Sequence, residues 1–197
     1  ASLLEFIQQQ QPPATQFNGY ESMIVEDATI LHLLIEHDDT YQGTSELTGD
    51  HPAAIITDRT PFYAEAGGQV GDTGQILSRD GAVFNVEDTI RFGEVFVHLG
   101  YVESGNIRSD QPAFTTDQQV LMQVESERRN AIMGHHSATH LLNLGLRHTL
   151  GDHVQQRGSL VDDQRTRFDF SHNHPLTEQD VQNIESIVSQ QIEADHP

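Results

Sequence analysis

Near the middle of the chain, Gly134-His135-His136-Ser137-Ala138-Thr139-His140-Leu141-Leu142 sets two imidazoles four residues apart. On a helix that spacing brings both side chains to one face, with Cβ atoms roughly 5–6 Å apart, so His136 and His140 can close on one metal ion. Two histidines are half of a zinc site, which takes three or four protein ligands. Twelve histidines in 197 residues also make such pairs common by chance, so the pair gains weight only from its surroundings. A metalloprotease H-E-x-x-H is excluded, because Ser137 stands where the glutamate base belongs. His135 is one position out of register, and no spacing rule brings His172 or His174 to the same ion.

The pair needs a helix to carry it, and the sequence supplies one. Ser126 can cap a helix whose positive dipole end suits the flanking Glu125 and Glu127, and Ala131, Ala138, Leu141, Leu142, Leu146 and Leu150 form a stripe about four residues apart. Gly151 ends it. Two strands are predicted next, Val154–Val161 and Thr166–Phe170, joined by a turn at Val161-Asp162-Asp163-Gln164-Arg165. Gln156 and Gly158 lie in the first. In the second, alternation puts Phe168 and Phe170 on one face and Arg165, Arg167 and Asp169 on the other, as in any half-buried strand. Thr177 then caps an amphipathic helix from Glu178 to about Ile192.

Upstream, residues 17–114 break into short runs rich in Val, Ile, Phe and Thr, separated by Gly, Asp and Ser clusters. Strands at that spacing predict a small barrel or sandwich. Inside it, Arg59–Gly74 carries Gly67, Gly68, Gly71 and Gly74 without matching a dinucleotide or phosphate-loop pattern. Such glycines make a tight turn or admit the close approach of another chain or ligand. Residues 1–16, with their glutamine and proline tract, read as a linker or the end of a preceding domain.

Thirty acidic residues against ten basic ones, all arginine, give a formal charge of −20. Such a surface is well solvated, and it weakens long-range attraction to a polyanion unless salt screens it. The absence of cysteine removes disulfides and thiolate ligands. No signal sequence and no apolar run of membrane length is visible, so a soluble, cytoplasmic protein is expected.

Three blocks, TPFYAEAGGQVGDTG, HHSATHLLNLGLRHTLGDHVQQRGSLV and RTRFDFSH, resemble the editing region of alanyl-tRNA synthetases in content, order and spacing from about Phe17 onward. The resemblance implies an α+β fold: a small β-barrel-like domain over 17–114, then from 115 to 197 the first part of a two-layer α/β editing domain. It implies hydrolysis of Ser-tRNA(Ala) or Gly-tRNA(Ala), with Zn2+ on His136 and His140 and with Thr139 and Gln156 as catalytic residues. It also implies that Glu65, Gly67, Gly68 and Gln69 place the aminoacylated end of the tRNA. Arg167 is taken with them as a tRNA contact. In the family a later C-x-x-x-H motif supplies the other zinc ligands, and this chain, without cysteine, reads as a piece of a longer synthetase. ATP and Mg2+ then belong to the parent's aminoacylation domain. A tRNA-docking module without catalysis and a free-standing trans-editing deacylase are the alternatives.

Overall fold

Val-, Ile- and Phe-rich runs between Ile24 and Val124 form the seven strands of the main sheet: β1 Ile24–His37, β2 Thr40–Thr44, β3 Pro52–Thr57, β4 Gly74–Ser78, β5 Val83–Phe92, β6 Val95–Val102 and β7 Gln119–Val124. In the computed structural model, which describes residues 1–38, 40–106 and 111–194, these strands pair antiparallel in the order β7-β4-β5-β6-β3-β1-β2. A further pairing of β7 with β1 closes the first six into a barrel. Closure removes the free edges that a six-stranded open sheet would expose.

One strand serves two neighbours. The first half of β1 pairs with β7 (Thr29 opposite Gln119, Ile24 opposite Gln123), and its second half pairs with β3 (Ile30 opposite Thr57, Ile35 opposite Ala53). Register shifts interrupt both ladders, and Asp27 takes a positive φ of 57° at the first. Irregularities of this kind bend a strand and increase its twist, which a small barrel requires of a fourteen-residue stave.

Strand β3 is buried on both faces, which explains its unbroken apolar run Ala53-Ala54-Ile55-Ile56. Ala53 and Ile55 point into the main core with Phe62, Phe84, Phe114 and Met122. Ala54 and Ile56 point outward, with Leu34 and Val97, and pack with Leu3. Leu3 opens helix α1, Leu3–Gln10, whose start is fixed by a capping box between Ser2 and Glu5. Within the segment expected to be a linker or the end of a preceding domain, α1 thus packs on the barrel's apolar outer face.

Two compact units result. The first comprises residues 1–65 and 71–126, and the second comprises 66–70 and 127–197. The first therefore runs past the boundary expected at Phe114, because β7 pairs with β1 and β4 as a barrel stave. Among the described residues no helix is long and apolar enough to cross a membrane.

The barrel core encloses one ionisable ring. His98 is fully buried, its Nδ1–H donates to the Ile55 carbonyl at 2.9 Å, and its Nε2 accepts from the Thr60 hydroxyl at 2.7 Å. Burial pushes its pKa down to about 4, opposed by the bond to Ile55. The unfolded chain binds that proton near the ordinary value of 6.5, so unfolding takes up a proton between pH 6.5 and 4. The contribution is complete above pH 6.5 and is lost as pH falls through 4, roughly 3 kcal/mol in all at 1.36 kcal/mol per unit. Urea unfolding at pH 7.5 and pH 4.5 checks this: His98→Gln should remove much of the parent's acid-side loss, and an unchanged loss would contradict it.

Candidate functional site

The second unit is built on helix α2, Ser126–Leu150, the hairpin of β8 Gln156–Val161 and β9 Thr166–Phe170, and helix α3, Glu178–Ala194. Its core is Leu146, Val154 and Ile184, with Leu142, Leu150, Phe168, Phe170 and Val188 against them. The phenylalanines of β9 face inward, as alternation predicts. Gly145 lets α2 and α3 approach closely, since a Cβ there would lie 3.3 Å from Ile184. Gly151, at φ 109°, ends α2 with its N–H on the Arg147 carbonyl. Thr177 and Asp180 form a reciprocal cap at the start of α3.

The buried face of α2 carries Arg129, Ile132, Thr139, Gly145 and Leu146. Thr139 is therefore part of the packed side of the helix. Its hydroxyl donates to the His135 carbonyl one turn back and shares a short hydrogen bond with the Thr166 hydroxyl at the start of β9. His135 donates from Nδ1 to the Asp162 carbonyl in the hairpin turn at 2.7 Å. That turn is itself held by the Asp162 carboxylate, which accepts the N–H groups of Gln164 and Arg165. Those bonds, first Gln164 and then Arg165, hold the carboxyl below the usual range, against a smaller opposing effect of burial.

His136 and His140 stand one turn apart with their rings 4.9 Å apart and their Nε2 atoms 3.1 Å apart. The carboxamide oxygen of Gln69 accepts from His136 Nδ1–H at 2.9 Å. Because an amide oxygen can only accept, this bond places the His136 proton on Nδ1 and leaves Nε2 with its lone pair. His140 Nε2–H then donates to it. Two nitrogens of one tetrahedral zinc, each about 2.0–2.1 Å from the ion, lie roughly 3.3–3.4 Å apart, so the pair has the spacing of two of four donors once the His140 proton moves from Nε2 to Nδ1. Among the described residues no group of three or more His, Cys, Asp or Glu side chains could hold a metal ion.

Gln69 reaches the helix because of how its loop is folded. Ala66 and Gln69 exchange both backbone hydrogen bonds around Gly67 and Gly68, whose φ values are 60° and 87°. This is a two-residue turn in the mirror-image conformation that glycine favours. The turn lies along β8: Val161 N–H donates to the Gly68 carbonyl at 2.8 Å and Val70 N–H to the Val161 carbonyl at 3.1 Å. A Cβ on Gly68 would overlap the Ser159 carbonyl. Tight turn and close approach, alternatives in the sequence, are both present.

The other expected residues fall in different places. Gln156 is exposed, and its Nε2 donates to the Ser159 hydroxyl, which donates to the Gly67 carbonyl; the amide thus joins the same loop from the far side of Ser159. Glu65 belongs to the barrel unit, where its N–H donates to the Thr89 carbonyl. Arg167 holds Asp169 through Nε at 3.0 and 3.2 Å and Nη2 at 2.7 Å. The pair raises the arginine's pKa and lowers the aspartate's. His172 lies apart from His136 and His140 and pairs with His153, Nδ1 to Nε2 at 3.0 Å. Thr166, Ser159 and the Asp162 carbonyl were not foreseen, since nothing in a single strand pattern marks them.

A family model described as tRNA synthetases class II (A) matches residues 3–128. The chain is 44% identical over 180 residues to the alanine–tRNA ligase of Parvibaculum lavamentivorans, covering 91% of this chain and 19% of the relative. It is 44% identical over 182 residues to that of Legionella pneumophila strain Lens (92% and 20%) and 42% identical over 185 residues to that of Delftia acidovorans (93% and 20%). The chain thus spans about one fifth of the length of these curated relatives. Alignments that leave so few of its 197 residues outside include the helix bearing His136 and His140.

Thr139→Val keeps the side chain's shape and removes the hydroxyl that ties α2 to β9. A loss of about 1–2 kcal/mol is expected in denaturant unfolding, with Thr139→Ser near the parent. A valine variant as stable as the parent would show that the Thr139–Thr166 bond contributes nothing.

Proposed function

The chain belongs to the class II alanyl-tRNA synthetase family, and from that premise we propose that its second unit is the proofreading part of such an enzyme. Its substrate is the ester between mischarged serine or glycine and the terminal ribose of tRNA(Ala). The observation that supports this reading most is the paired Nε2 atoms of His136 and His140, with the His136 tautomer set by Gln69.

A synthetic site that accepts alanine discriminates weakly against serine or glycine, because one small group is worth only a few kcal/mol. Correction requires a second site that admits the wrong ester. In its hydrolysis, water oxygen bonds to the carboxyl carbon, the bond from that carbon to the ribose oxygen breaks, and the ribose oxygen takes up a proton. His136 and His140 hold Zn2+ as two of its ligands. When bound, the ion supplies a Lewis acid that polarises the ester or orients the amino acid. Gln69 fixes the ring of His136. The hydroxyl of a misplaced serine donates to the Gln156 amide oxygen, which has no partner among the described residues, whereas alanine offers no such donor. Thr139 acts as a positioning residue, holding the histidine-bearing turn of α2 against the hairpin. Gly67 and Gly68 present Gln69, and their exposed turn receives the end of the tRNA. Ligation of alanine, with its ATP and Mg2+, belongs to other parts of the parent enzyme.

The lack of a third donor group among the described residues favours a second reading of the isolated chain, as a docking unit that becomes hydrolytic only when joined to further ligands. Metal analysis and Ser-tRNA(Ala) deacylation on this chain and on a form extended through the family's C-x-x-x-H motif separate the two. Weak zinc binding and no hydrolysis are expected from the short form, and one zinc with hydrolysis from the extended form. In the extended form His140→Ala should abolish both, and Gln69→Leu should weaken zinc binding about 10–100-fold. An extended form that holds zinc and leaves Ser-tRNA(Ala) intact would overturn the proposal.

A further inference from the structure

In a chain of net charge −20, the charge-assisted contacts to an RNA phosphate must come from cations that its own carboxylates have not already neutralised. Most of the described guanidinium groups are so neutralised. Arg59 is paired with Asp58, Arg79 with Asp27, Arg128 with Asp163, Arg147 with Asp152, Arg165 with Asp162 and Arg167 with Asp169. Arg91 lies over the ring of Phe96. Arg157 is exposed and has no carboxylate partner among the described residues.

The cause is local and lies in the hairpin register. Gln156 stands opposite Phe170 and Gly158 opposite Asp169, so Arg157 is the extra residue of a bulge and faces no residue across the ladder. The carboxylate that could have served it is Asp169. One oxygen of Asp169 lies 3.1 Å from where a Cβ of Gly158 would stand, and both oxygens are taken by Arg167. A bulge re-aims a side chain, and here it leaves one guanidinium with its full charge and its fork of donors free. Its neighbour Gln156 is linked through Ser159 to the Gly67 carbonyl, which places Arg157 on the strand that carries the Gly67–Gln69 turn.

We propose that Arg157 is a phosphodiester contact for the RNA substrate, the guanidinium that binds a backbone phosphate near the 3′ end while Arg167 stays committed to Asp169. The inference rests on the proofreading reading for the identity of the RNA. It concerns binding and requires no metal.

The test is binding of an unacylated acceptor-stem minihelix RNA to the whole chain across a series of salt concentrations. Arg157→Gln should weaken binding roughly tenfold at low salt and lower the magnitude of the favourable salt-release slope by about one. Arg157→Lys should keep the slope and lose part of the affinity, since the charge stays and the fork is gone. Asp169→Asn, which releases Arg167, should tighten binding, and Arg79→Gln should leave it within twofold. Parent binding that Arg157→Gln does not change would overturn this contact alone. A parent chain with no affinity for the minihelix at any salt would overturn the contact and count against the tRNA reading as well.

Discussion

The hydrogen bond from His136 Nδ1–H to the Gln69 side chain joins residues 67 positions apart, and most of the site's organisation serves to make it possible. Gln69 must come alongside β8, which it does through the bonds that Val161 and Val70 make on either side of it. That approach leaves no room for a side chain at 68, and the turn that delivers it needs two residues at positive φ. The helix must present His136 at the right height, which the Thr139–Thr166 and His135–Asp162 bonds secure by tying one turn of α2 to the β8–β9 hairpin at two points. A ring held in this way offers a defined lone pair. An unconstrained imidazole would populate both tautomers and lose affinity for a metal accordingly.

The same unit shows how charge is used in an acidic protein. Aspartates cap the hairpin turn, start α3 and neutralise arginines, so much of the negative charge is spent on local geometry. Positive charge left free is scarce, and its position then carries information. The barrel follows a different economy: its buried ionisable ring, His98, is kept neutral and serves as a polar rivet between β6, β3 and Thr60.

Much of this was legible in the sequence where the signal is local. The barrel staves follow from short β-branched runs between turn residues, and the histidine pair, Gly151 and Thr177 follow from helical spacing and capping. What was not legible depends on pairing at a distance. Residues 117–124 read as a strand, but nothing local assigns that strand to the barrel; its pairing with the first half of β1, nearly a hundred residues earlier, does. The short apolar turn of helix ahead of the glutamine tract is legible, but its docking on the barrel is not, because only Leu3 is buried there and its partners Leu34, Ala54 and Ile56 lie on the outer faces of two strands. Thr139 reads as a free hydroxyl on a helix flank, yet it sits on the packed face between Ile132 and Leu146 and is already bonded. Arg167 and Asp169 lie together on β9 as alternation places them, whereas Arg165 stays in the turn before the strand, its N–H on the Asp162 carboxylate. That Arg167 consumes Asp169 and leaves Arg157 unpaired depends on a bulge no pattern announces.

The most direct measurement is the tautomer of His136, read by long-range 1H–15N correlation NMR of the imidazole nitrogens during zinc titration of the extended form. His136 should be protonated at Nδ1 before zinc is added, and the metal should move the Nε2 resonances of His136 and His140 together, without displacing the Nδ1 proton of His136. A His136 ring protonated at Nε2, or zinc shifts confined to His153 and His172, would contradict the assignment of this pair as the metal-holding core of the site.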